Sequence, residues 1–168
     1  MRSDFERFLA EEDDRFRIGF VEGFEANTNQ GALRLLKIGL LRHPKTDKTL
    51  GRLWEWHMLE EIEHRLVAFD LYQHLFGDWL NRARMCWVAQ HHMAKFIEDR
   101  TAIMMRVDIE RHGEACRLTG IYQVLKLIAR LTPRFISMPP WYSPHRYVIT
   151  DSVQRLSARL SAEATSVG

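Results

Sequence analysis

The sequence predicts an all-α protein, and three observations carry that prediction. Prolines stand only at positions 44, 133, 139, 140 and 144, which leaves long segments without a breaker. Apolar residues recur at three- and four-residue spacing, and strand-type alternation is nearly absent. Gly77–Asp78 and Gly113 stand where helices would stop or start. At 168 residues and 46% hydrophobic content, the chain suits one domain over 1–168 with a sizeable core.

The first helix is expected from Asp14 to Leu41, ending before "RHPKTDKT", where Pro44 stops it. A second runs from Thr49 to Phe76, with Gly77 just past its end. A third is capped by Asp78 and continues to His112, where Gly113 ends it. "RLTGIYQVLKLIARL" is a shorter fourth helix. "TPRFISMPPWYSPHRY" is an irregular, aromatic connection, and Thr150 or Asp151 caps a last helix through "SVQRLSARLSAE". The tail "ATSVG" should fray. The acidic run Glu11–Asp14 complements a helix start and is given no other role.

A formal net charge of +2, with Lys and Arg spread along the chain, gives no footprint for nucleic acid. No stretch is long and apolar enough to span a bilayer, and the charged N-terminus lacks the apolar core of a signal peptide. Cys86 and Cys116 have no metal or redox spacing and read as reduced, buried thiols, so a cytoplasmic protein is expected.

The stretch from Trp54 to Leu75, "WEWHMLEEIEHRLVAFDLYQHL", places three histidines and four glutamates in otherwise apolar helix. With His57 at 0° on a helical wheel, Glu61 falls at about 40° and His64 at about 340°. Leu50, Leu53, Trp54, Ala68, Leu71 and Leu75 share that sector, whereas Glu55 and Glu63 lie elsewhere and Glu60 is at its edge. The stripe is therefore expected to face the core. Burying a carboxylate and two imidazoles requires compensation. A divalent metal supplies it, because imidazole nitrogen and carboxylate oxygen together are good ligands for iron, manganese or zinc; iron or manganese is expected ahead of zinc. Glu-x-x-His on a helix facing a bundle core is the pattern of di-iron carboxylate proteins.

The first helix offers a fourth ligand. Glu25 shares a stripe with Ile18, Val21, Ala32 and Leu36, with Glu22 and Asn29 on its edges, and the short link through Pro44 makes the two helices antiparallel neighbours. A Glu-x-x-His match is expected about once by chance in such a chain, and the added His57 makes the pattern roughly twentyfold rarer. The competing reading is a satisfied polar network, with His57 and His64 bonded to carboxylates or carbonyls.

Other candidates point elsewhere. Adjacent His91 and His92 diverge by about 100° and cannot both face one site. Asp108 and His112 suit a surface pair. Trp87, Met104 and Met105 read as core, Asp70 as a surface or inter-helix hydrogen-bond group, and His145 as a packing residue in the Pro-rich loop.

"WHMLEEIEHRLVAFDLY" resembles the signature of a bacterial family labelled predicted metal-dependent hydrolases, whose members read close to W-H-x-x-E-E-I-E-H-x-x-V-A-F-D-x-Y. "FEANTNQ" is similar to that family's Glu-containing motif on the preceding helix, and "PPWYSPHRY" to its Pro-aromatic segment. His-x3-Glu-x2-His also looks like the last ligand helix of the di-iron p-aminobenzoate N-oxygenase type. The resemblance implies a ferritin-like bundle, His57, Glu61 and His64 as metal ligands and Glu25 as the bridging carboxylate. Such proteins usually carry an earlier helix pair with its own Glu and Glu-x-x-His. Residues 1–24 contain no histidine, so the chain resembles the C-terminal part of the family, an incomplete bundle.

Two functions are expected to compete. One is a metal-dependent enzyme acting on a small organic substrate, by metal-assisted hydrolysis with Glu60 or Glu25 as base, or by O₂-dependent oxidation. The other is a non-catalytic helical oligomerisation protein with a relic metal site. If the missing helix pair is replaced by a second copy, a homodimer converges two ligand sets. Alternatively, the third helix folds back over the stripe and closes the site within one chain, bringing His91 or Glu98 near.

Overall fold

A computed structural model describes residues 2–117, 132 and 134–165 of the chain. All but the first residue of the predicted helix over 117–131, and the last residues of the tail, lie outside the described residues, as does the side chain of Cys116. The protein is all-α, with no strand among the described residues.

Six helices are described: α1 (Arg2–Glu11), α2 (Asp14–Ile38), α3 (Lys48–His64), α4 (Val67–Leu75), α5 (Trp79–His112) and α6 (Asp151–Thr165). Their ends follow local chemistry. Asp13, Asp47 and Asp78 cap α2, α3 and α5 by accepting from Phe16, Leu50 and Asn81 backbone N–H groups. Gly39 ends α2 in the left-handed region at φ 71°, so the stop comes before Pro44 rather than at it.

Two boundaries differ from expectation. α1 was not anticipated. Its ten residues form one short apolar face that tertiary contacts hold: the Phe8 ring packs at a tilt on Phe16 and Phe20, and Phe5 edge-on against Phe20. The helix predicted as continuous from Thr49 to Phe76 is broken after His64. No glycine or proline marks the break. The Arg65 guanidinium donates to the Ile62 carbonyl at 2.7 Å across the break.

α2 is the central helix and packs along α5, α3 and α4, while α6 lies against α3. One apolar cluster joins Phe8, Phe20 and Ala89 at the α1 end; the other joins Ala32, Met58 and Ile62, continued by Leu59, Leu156 and Leu160. The α2–α5 contact is unusually close. A Cβ on Gly23 would lie 2.5 Å from the Cys86 Cα and 3.0 Å from the Met85 carbonyl oxygen, and backbone cannot yield as a side chain can. Gly23→Ala should therefore lower stability by about 1–3 kcal/mol, read as a shift in the denaturant midpoint. An unchanged midpoint would show the two helices free to part.

Trp87 and Met104 are not core, as expected from sequence, but lie 48% and 66% exposed on α5. No helix among the described residues is long and apolar enough to cross a membrane.

Candidate metal centre

α3 has two apolar faces. Gly51, Met58, Leu59 and Ile62 are buried, and Glu55 is buried with them, ion-paired to Arg42 and to Arg159 at 3.0 Å. The opposite face carries His57, Glu61 and His64. Leu50, Leu53 and Trp54 on that face, with Leu71 and Leu75 on α4, expose 43–58% of their surface. This corrects the expectation that the ligand stripe faces the core. Both faces of α3 are apolar enough to be a core, and periodicity alone does not say which one the chain covers. Glu55, expected on the outside, is inside because two arginines neutralise it.

His57 lies between two carboxylates of its own helix. Its Nε2 is 3.6 Å from Glu61 Oε1 and its Nδ1 4.0 Å from Glu60 Oε2, with Trp54 edge-on to the ring. Glu61 is the most enclosed of the three, at 18% side-chain exposure. His64, the last residue of α3, is exposed and borders an open apolar groove of about 410 Å³ between α2 and α4. Ile18, Val21, Ala68 and Leu71 line that groove, and Glu25 lies in it with His64.

Glu25 comes from α2. Its Oε2 is buried and has no hydrogen-bond partner among the described residues. Burial pushes its carboxyl above the usual range, the Glu61 charge pushes it further, and His64 pulls it back. Glu25 therefore stands close enough to Glu61 and His64 to feel both, across the α2–α3 pair that the short link through Pro44 makes adjacent.

The donors have the chemistry of a divalent-metal site: two imidazoles, two carboxylates, one carboxylate oxygen orphaned in an apolar wall. They do not converge within one chain. Among the described residues no three His, Cys, Asp or Glu side chains are arranged to hold a metal ion. α5 packs along α2, and none of its residues lines the groove that holds Glu25 and His64; His92 of α5 is drawn instead to Asp4 at 3.4 Å among Phe5, Phe8 and Phe20. His145 pairs with Asp70 at 2.6 Å, tying the Pro-rich loop to α4.

A second polar cluster escaped the sequence reading. Arg82 of α5 is buried and lies 3.3 Å from the buried Glu22 of α2. It also donates to the Ser137 and Pro139 carbonyls at 2.8 and 2.9 Å, beneath the Tyr142 ring. Burial pushes the Glu22 carboxyl up to about 7, against the pull of Arg82. Burial likewise pushes the Cys86 thiol up to about 12, which makes it an inert thiol beside Ser137 and Gln90. The available signal was Arg82 at the head of the spacing Arg82, Met85, Cys86, Ala89, Gln90, which is one buried helix face.

A family model described as "Predicted metal-dependent hydrolase" matches residues 1–148 of the chain. No curated protein and no solved structure matches it. The match spans most of the 168 residues, and the chain belongs to that family.

Proposed function

We propose that this member of the predicted metal-dependent hydrolase family is a metalloenzyme acting on a small organic molecule, with Glu25, His57, Glu61 and His64 as ligands of iron or manganese. The observation that carries this is Glu25: a buried carboxylate oxygen with no hydrogen-bond partner among the described residues, whose titration is shifted by Glu61 and His64 of the neighbouring helix. A metal in such a site either lowers the pKa of a bound water for hydrolysis or, as iron, supports oxidation by O₂. For hydrolysis, Glu60 would take the proton: it is 40% exposed on the rim of the face and in reach of His57. The apolar groove beside His64 suits an uncharged part of the substrate.

One chain supplies too few convergent donors, and the same face exposes Leu50, Leu53, Trp54 and Leu71. An apolar surface of that kind favours association. In a twofold dimer the contact is isologous, so two copies of the stripe meet and two ligand sets combine into a ferritin-like, four-helix centre. Light scattering during metal titration, with elemental analysis of anaerobically purified protein, tests this. The expected result is a homodimer holding two metals. A monomer that binds one metal per chain would refute the shared centre.

The exposure of His57 and His64 favours a second reading, an association module that keeps a relic of the site. A dimer that takes up no iron, manganese or zinc would establish it.

A further inference from the structure

The open groove of about 410 Å³ between α2 and α4 has a cation at one end. Arg17, Val21 and Glu25 line it from α2, and Ala68 and Leu71 from α4, with His64 beside Glu25. The three α2 residues are four apart in sequence, so they follow one face of the helix. The apolar lining is aliphatic throughout. The volume lies within the range of small-molecule sites, about 300–1,000 Å³.

The two ends differ in charge. Eight residues separate Arg17 from Glu25, which is about 12 Å along α2. At the Glu25 end two carboxyls already stand close enough for the Glu61 charge to push the Glu25 carboxyl upward, so a ligand carboxylate is repelled there. Arg17 is a permanent cation. It stands at the first turn of α2, where the helix dipole is positive as well. Its Nε donates to the Glu12 carbonyl at 2.9 Å, which anchors the guanidinium. Its Nη2 lies 3.6 Å from Asp14, beyond hydrogen-bond distance, and the Asp14 side chain is 79% exposed, so water screens that pair. Guanidinium N–H groups are therefore left for an anion at this end.

We propose that the groove binds an aliphatic monocarboxylate, with its carboxylate on Arg17 and its chain running along Val21, Ala68 and Leu71 toward Glu25 and His64. As the naming of a substrate this rests on the proposed function: an acid held by its charged end presents the remote end of its chain to the residues assigned the chemistry. As a binding site it stands on the groove and on Arg17, and it requires no metal.

Calorimetric titration of the metal-free protein with octanoate and with 1-octanol tests it. The two ligands share a chain and differ in charge. Octanoate should bind roughly tenfold tighter, the low end for a charged hydrogen bond because the Arg17 side chain is 38% exposed. Added salt should narrow that preference. Arg17→Gln should abolish it and leave 1-octanol binding unchanged. Val21→Trp, which fills the groove from a position 49% exposed, should weaken both ligands. Should Arg17→Gln fail to fold, the salt dependence of the parent decides. Equal binding of the two ligands, a preference that salt or Arg17→Gln leaves unchanged, indifference to Val21→Trp, or no binding of octanoate would overturn the inference. Elemental analysis reads the metal centre separately. Octanoate binding without metal uptake would overturn that centre and leave the acid site standing, and metal uptake without octanoate binding would do the reverse.

Discussion

His64→Ala should strip the protein of metal and leave its fold intact. His64 is exposed at the end of α3, so its loss should change stability by no more than about 0.5 kcal/mol. His64 shares the groove with Glu25 and shifts its titration, so under the proposed function it should matter greatly to binding. Removing groups that merely orient a ligand costs roughly 10- to 100-fold in affinity, and removing a ligand should cost no less. Elemental analysis of the purified variant should show at least a tenfold drop in metal, with circular dichroism and unfolding midpoint unchanged. Parental metal content would remove His64 from the site. A variant that loses metal and stays dimeric would show that the apolar face, not the metal, joins the two copies.

Arg82→Leu should have the largest effect on stability. It removes the partner of a buried carboxylate and the donor to two loop carbonyls. Breaking a buried pair from one side costs about 3–5 kcal/mol, a large share of a domain's stability. The pH dependence is specific. In the folded chain the Glu22 carboxyl titrates at about 7, above its ordinary value of 4.5. The folded state therefore holds a proton that the unfolded state releases. The contribution is complete below about 4.5 and is lost as pH rises to about 7. Without Arg82 the carboxyl is pushed higher still, so the loss continues beyond pH 7. Denaturant midpoints at several pH values should show the gap between parent and variant widening on the alkaline side. A gap independent of pH would mean that Glu22 is not charged in the folded protein.

The all-α class and three helix ends could be read from the sequence because caps and breakers act locally. Asp78, Gly77 and Gly113 stand where their short-range chemistry puts them. The family resemblance in "WHMLEEIEHRLVAFDLY" agrees with the match over residues 1–148. What failed was whatever depends on a second element. α1 lays its aromatic residues on rings of α2, and the break after His64 carries no glycine or proline to mark it. A wheel finds an apolar face but not what covers it, so the ligand side of α3 was placed inward and Glu55 outward. The Glu22–Arg82 pair joins residues 60 apart, each unremarkable by itself.

The two halves of the proposed ligand set stand on supports of unequal stiffness. Glu25 belongs to α2, clamped against α5 where Gly19 and Gly23 leave no gap for sliding. His64 stands at the joint between α3 and α4, next to residues that belong to neither helix. Under the proposed function, adjustment to ligands of different size would fall at that junction, with Glu25 held by the close α2–α5 contact.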